Sequence, residues 1–232
     1  MKFSVDALLF DSDETLVSSL ASVSRCWLRW ASEHGLTTAE ILAVQPHGRP
    51  AAAIVADLLP AERVPSALAA LQQAEVDDAT DGGAVPVPGA RELLAALPPD
   101  RWAVVTSGTR RVADARLAAA GIEARHLVTV DDITHHKPHP EPFLTAAQRL
   151  DVDPARCVAF EDAPAGLQAA RAAGMLTVAL TTTHDAHALT SAADVVIPDL
   201  SPVAAQLTGG GVDVTIAPSV GRPRSPDDRP AS

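Results

Sequence analysis

Four carboxylates, a hydroxyl-bearing turn and a lysine stand in this sequence just beyond short apolar runs. Asp11 and Asp13 lie in DSDETL after VDALLF. Thr106, Ser107 and Gly108 follow WAVV, Lys137 lies beyond LVTV, and Glu161 and Asp162 follow CVAF. Acids gathered at one place repel one another unless a cation neutralises them, and hard carboxylate oxygens suit Mg²⁺. Magnesium prefers to share its shell with water and a phosphate oxygen, while a lysine, a serine hydroxyl and backbone amides suit the remaining phosphate oxygens. Each residue also has a plain role: Asp-x-Asp makes turns and helix caps, Ser107 shapes a turn, Glu161 and Asp162 cap a helix, and lysines coat surfaces. The chain has only two lysines, Lys2 and Lys137, and otherwise uses arginine, so an exposed cation at position 137 would be expected to be arginine. The order of the set favours chemistry over coincidence.

The runs Val5 to Phe10, Trp102 to Val105, Leu127 to Val130, Cys157 to Phe160, Met175 to Leu180 and Val195 to Ile197 predict strands of a parallel sheet buried on both faces. Alanine-rich helical stretches separate most of them, two ending before Gly121 and Gly174 as C-terminal caps. Strand and helix thus alternate as in an α/β doubly wound parallel-sheet (Rossmann-like) core, which binds ligands beyond the carboxyl ends of its strands. Between Ser18 and Thr80 only helices are legible. The first carries Leu20, Val23, Trp27 and Trp30 on one stripe, followed by Thr38 to Val44, Ala51 to Leu59 and Pro65 to Ala79. The expected domains are a core of residues 1–17 and 82–208, an inserted all-helical cap domain of residues 18–81 hinged at Asp81-Gly82-Gly83, and a tail, 209–232, without structure of its own apart from a VDVTI run able to pair at an edge.

A length of 232 residues, 47% apolar and 20% charged, suits a globular protein, and aromatics at 3% leave small side chains to fill much of the core. A net charge of −11 without clustered basic residues gives no electrostatic basis for a nucleic-acid groove. No apolar run could span a bilayer and no signal-peptide pattern opens the chain, so the expectation is a cytoplasmic protein acting on a small molecule without membrane or nucleic-acid partners. Cys26 and Cys157 read as reduced core residues. His135, His136 and His139 crowd around Lys137, but their spacing matches no familiar zinc pattern, and they are assigned to phosphate-side electrostatics or the surface.

The ordered set resembles the haloacid dehalogenase-like superfamily over roughly residues 5–205, with Asp11 and Asp13 on its first motif, Ser107 on its second, Lys137 on its third and Glu161-Asp162 on its fourth. The helical insertion resembles the small-cap branch that holds the sugar and glycerol phosphatases and β-phosphoglucomutase. VTSGT, KPHPEPF and FEDAPAGLQAARAAG are closest to its phosphatases. Glu14 departs from the glycine most common there. The resemblance implies attack by Asp11 on a small phosphorylated metabolite, a sugar or polyol phosphate, to give an aspartyl phosphate that water hydrolyses, with Asp13 as acid and base. It implies Mg²⁺ held by Asp11, Glu161, Asp162 and the backbone carbonyl of Asp13, phosphate oxygens held by Thr106, Ser107, Gly108 and Lys137, and a leaving group read by His47 and Arg49 of the cap. A monomer or weak homodimer is expected. The rivals are a phosphomutase, a haloacid dehalogenase, against which Asp13 argues, and a catalytically silent binding protein.

Overall fold

A computed structural model describes residues 1–44 and 50–218. The chain opens with β1 (Lys2–Val5) and β2 (Ala7–Phe10), so the single strand expected from Val5 to Phe10 is two strands in different sheets. Asp6 makes the break: its carboxylate accepts from Arg156 Nε and Nη2 at 2.7 Å each, and its carbonyl accepts from Arg101. β3 (Val17–Ser18) leads into four helices, α1 (Leu20–Glu33), α2 (Thr38–Ala43), α3 (Ala51–Leu58) and α4 (Val64–Asp78), and β4 (Val85–Pro86) leads back antiparallel to β3. There follow α5 (Ala90–Ala95), β5 (Trp102–Val105), α6 (Arg110–Ala119), β6 (Leu127–Val128), α7 (Glu141–Arg149), β7 (Cys157–Glu161), α8 (Pro164–Ala172), β8 (Leu176–Leu180), α9 (Ala186–Leu189) and β9 (Val195–Ile197). The six long-expected strands form one parallel sheet in the order β6-β5-β2-β7-β8-β9. β6 stops short of Val130 because Thr129 caps a 3₁₀ turn there and the Asp132 carboxylate accepts from its amide and hydroxyl. Because the strand order reverses about β2, the switch point where α/β sheets bind ligands lies at the end of β2, next to Asp11.

The strand alternation sorts the core by size. Leu8, Phe10, Val104, Phe160 and Val178 face one side, where the Phe10 and Phe160 rings stack at 4.9 Å, while Ala7, Leu9, Ala103 and Ala159 face α7 and α8 on the other. Alanine on that second face lets helices approach closely, which is how a chain so poor in aromatics fills its interior. Cys157 and Cys26 are free and buried, and burial pushes the Cys157 thiol up to about 12.

The four inserted helices bury a cluster of their own around Cys26, Trp30, Val55 and Leu71, with Trp30 Nε1 donating to Ala67 O at 2.9 Å. The stripe expected on α1 is split. Trp30 packs inside with Cys26 and Ala31, Trp27 packs partly against the same cluster while also lining a cavity shared with the core, and Leu20 and Val23 line that cavity. After α4 a π-helical turn, Ala79–Gly83, brings the chain back, and Gly82 takes φ 90°, a conformation open to glycine.

The tail expected from residue 209 departs from expectation over residues 211–216. β10 (Val203–Thr208) and β11 (Gly211–Ile216) build a second, antiparallel sheet with β1 in the order β1-β11-β10, so VDVTI is its central strand and not an edge. Val212, Val214 and Ile216 alternate into the core, a period of two over too few residues to stand out beside the glycines and prolines around it. Residues 219–232 lie outside the described chain. Among the described residues no helix is long and apolar enough to cross a membrane.

Candidate active site

Asp11 follows β2 and is buried, with its amide donating to Phe160 O of the neighbouring strand. Lys137 reaches it from the loop before α7: Nζ donates to Asp11 Oδ1 at 2.6 Å, to Glu161 Oε1 at 2.8 Å and to Val105 O at 2.9 Å. Burial alone would lower the lysine pKa, but Asp11 and Glu161 outweigh it and hold the ammonium charged above its ordinary range. Glu161 ends β7 and spends its second oxygen on the amides of Asp162 and Ala163, at 2.9 and 2.8 Å. Its carboxylate fits only because residue 166 is glycine, since a Cβ there would collide with Glu161 Oε1.

Asp162 completes the cluster, with Oδ2 accepting from Thr183 Oγ1 at 2.6 Å. Carboxylate oxygens of Asp11, Glu161 and Asp162 lie within 4.8 Å of one another. Burial raises the Asp11 and Asp162 carboxyls well above the ordinary range. Lys137 opposes the shift on both, and neighbouring carboxylates reinforce it. Three buried acids against one ammonium leave an excess of negative charge, and their hard oxygens fit a divalent cation such as Mg²⁺. Thr106, Ser107 and Gly108 line the same cavity beyond β5, and the Gly108 amide is turned onto Thr106 Oγ1 at 3.1 Å.

The Asp13 carboxylate is absent from that cluster and points elsewhere. Its Oδ1 accepts from Ser19 Oγ at 2.6 Å and from Arg116 Nη1 at 2.9 Å, and Arg116 Nη2 donates to Glu75 Oε1 at 3.2 Å. Arg116 on α6 and Glu75 on α4 are both buried, and neither was among the expected site residues. The signal was present: Arg116 shares a buried stripe with Val112, Ala113 and Leu117, and Glu75 one with Ala67 and Leu71, so a charge occupies an apolar position on each helix. Glu14 takes φ 59°, where glycine is favoured, and its Oε1 accepts from the amides of Ser19 and Leu20 at 2.6 Å each. It thereby caps the first turn of α1, which has no cap from Ser19 itself.

Asp11, Asp13, Thr106 to Gly108, Arg116, Lys137, Glu161 and Asp162 line the core side of a cavity of about 730 Å³, and Val23, Trp27, Ile41, Ile54, Leu68, Gln72 and Glu75 line its cap side. His47 and Arg49, the expected readers of the leaving group, lie outside the described residues. His135 and His139 are exposed, their rings 4.5 Å apart, and group with Glu141, whose carboxylate takes the amides of Thr134 and His135.

Comparison with known proteins agrees with this arrangement. Residues 5–174 match the family described as haloacid dehalogenase-like hydrolase. The chain is 40% identical over 201 residues to validoxylamine A 7'-phosphate phosphatase of Streptomyces hygroscopicus subsp. limoneus, covering 84% of this chain and 94% of that one. It is 37% identical over 202 residues to hexitol phosphatase A of Escherichia coli K12, covering 84% and 91%. The solved structure of a hydrolase from Pseudomonas syringae superposes with a TM-score of 0.75 at 25% identity, over 84% of this chain and 94% of that one.

Proposed function

Because this chain belongs to the haloacid dehalogenase-like hydrolases, we propose that it is a Mg²⁺-dependent phosphatase that hydrolyses a sugar or polyol phosphate through an aspartyl phosphate on Asp11. The observation that carries the proposal is the contact of Lys137 with Asp11 and Glu161 inside a cluster of three buried carboxylates. Lys137 holds the Asp11 carboxylate in the wall of the cavity and keeps a fixed positive charge beside the place of the phosphoryl group. Asp11 attacks phosphorus in line, the bond from phosphorus to the ester oxygen breaks, and Asp13 gives that oxygen its proton. Asp13 then takes a proton from water as the water attacks the aspartyl phosphate, which releases inorganic phosphate and restores both acids. Ser107 and the backbone about Gly108 hold phosphate oxygens at the start of α6. Asp11, Asp162, the backbone carbonyl of Asp13 and, less directly, Glu161, whose oxygens are already engaged, would hold Mg²⁺. When bound it neutralises charge on the transferring group.

The leaving group lies against the cap. Names of two relatives, validoxylamine A 7'-phosphate phosphatase and hexitol phosphatase A, support a hydroxyl-bearing carbon skeleton there, and Trp27 on the cap side of the cavity is an aromatic surface for the C–H side of such a skeleton. Incubation of the protein with sugar and polyol phosphates and Mg²⁺ tests the proposal through released phosphate. Asp11→Asn should abolish release while the protein stays folded, and Asp162→Asn should raise the Mg²⁺ concentration needed. Isomerised phosphate without free phosphate would instead make it a mutase, and substantial activity in Asp11→Asn would end the covalent mechanism.

A further inference from the structure

Asp13, Arg116 and Glu75 form a chain of charge from the lip of the core to the cap. Arg116 is 5% exposed and Glu75 6%, so both ions have left water, a cost that a generic surface tie between domains would avoid. Their hydrogen bonds recover it unevenly. The Arg116 fork gives Nη1 to Asp13 and Nη2 to Glu75, while Nε is buried without a partner among the described residues. A guanidinium that leaves one donor unmatched is placed for its two partners and not for its own satisfaction. Both donors to Asp13, Ser19 Oγ and Arg116 Nη1, converge on Oδ1, and Oδ2 accepts none of the hydrogen bonds found among the described residues. Oδ2 is therefore the oxygen left to carry a proton into the cavity that Asp13 lines.

We propose that Arg116 and Glu75 are positioning residues that fix the Asp13 carboxyl for proton transfer to the leaving group. Glu75 holds the Nη2 side of the fork so that the Nη1 side stays aimed at Oδ1. The inference rests on the reading of Asp13 as acid and base.

The test compares two substrates that differ in their need for an acid. The alkoxide leaving a polyol phosphate such as glucitol 6-phosphate must be protonated, whereas p-nitrophenolate leaves unaided. The readout is kcat/KM with Mg²⁺ present, which stops at the first irreversible step and so omits the hydrolysis of the aspartyl phosphate. Arg116→Met should lower kcat/KM for glucitol 6-phosphate by roughly 10- to 100-fold, part of the usual worth of a positioned acid. On p-nitrophenyl phosphate it should change less than about threefold, and Glu75→Gln should show the same selectivity at smaller amplitude. Arg116→Lys keeps the charge without the fork and should fall between wild type and Arg116→Met. Equal losses on both substrates, or no loss on either, overturn the proposal, and Arg116→Lys with Glu75→Gln carry the comparison if Arg116→Met does not fold. Asp13→Asn separates the levels. If it is selective for the polyol phosphate while the Arg116 and Glu75 variants are not, the positioning role alone falls; if it is unselective, the role of Asp13 falls and the positioning role with it.

Discussion

Lys137→Met is the substitution whose consequence the structure fixes most closely. The methionine keeps the stem packed near Phe143, whose ring centre lies 5.3 Å from Nζ, and removes the charge together with donors to Asp11, Glu161 and Val105. In the metal-free protein Asp11 already holds its proton near neutral pH, so once the cation is gone a further carboxyl must take one up for the chain to stay folded. For an aspartate with an ordinary value of 3.8, holding the proton at pH 7 costs about 1.4 kcal/mol per pH unit, roughly 4 kcal/mol in all. The figure agrees with the ~3–5 kcal/mol typical of stripping one partner from a buried ion pair. At about 2–4 °C per kcal/mol for a chain of this size, the melting temperature in chelator should fall by roughly 8–16 °C. The assay is thermal unfolding at pH 7 with and without Mg²⁺. Since lysine and metal neutralise the same carboxylates, Mg²⁺ should raise the melting temperature of Lys137→Met more than that of wild type. A fall of less than about 3 °C in chelator, against the per-kcal/mol scale above, or an equal Mg²⁺ increment in both proteins, would refute the view that Lys137 offsets these acids.

Gly166→Ala places a methyl on the Glu161 carboxylate, so Glu161 must move and Lys137 with it; phosphate release should drop at least tenfold, about 1.4 kcal/mol of barrier, and wild-type rates would show that the loop yields freely. In the metal-free protein, burial raises the Asp11 carboxyl to about 8 from an unfolded 3.8. The folded state therefore holds a proton that the unfolded chain has released, and this stability is lost as pH rises through that window. Melting in chelator should accordingly be lower at pH 8 than at pH 5, and Mg²⁺ should flatten the difference; an identical slope with and without metal would contradict the assignment. Glu14→Gly relieves the positive φ but frees the amides of Ser19 and Leu20, a cap worth about 0.5–2 kcal/mol, so those two amides should exchange hydrogen faster while global melting moves little. Unchanged protection at Ser19 and Leu20 would remove Glu14 from the role of cap.

How far the sequence could be read depended on whether a signal was local. Asp11, Ser107 and Glu161-Asp162 each sit just past a run of apolar residues, and a parallel sheet converts that shared position into shared space, while Lys137 reaches the same place from the longer loop after β6. The helices of the cap were legible from their period, with α4 (Val64–Asp78) expected from Pro65 to Ala79. What escaped was set by partners far along the chain. Nothing near Asp6 announces that Arg156, 150 residues away, will pin the backbone and split the first strand. Likewise, β11 (Gly211–Ile216) is a central strand only because β1 and β10 flank it. Period also cannot say which side of an amphipathic helix faces protein and which faces a ligand, so Leu20, Val23 and Trp27 on α1 were grouped with Trp30 although they line the cavity.

That last ambiguity bears on how a small cap divides labour with its core. The core side of the cavity carries the carboxylates, Lys137 and Thr106 to Gly108, groups that suit any phosphate ester. The cap side presents Val23, Trp27, Ile41, Ile54 and Leu68, with Gln72 among them, and these suit the carbon skeleton of one ester over another. An apolar stripe facing a ligand obeys the same period as one facing a core, which is why substrate choice is hard to read from sequence when the chemistry is not. A charge on such a stripe does break the ambiguity. A buried Glu75 or Arg116 gains nothing from an apolar position unless it meets a partner there, and the pair that results ties helix α4 of the cap to the Asp13 carboxyl of the core.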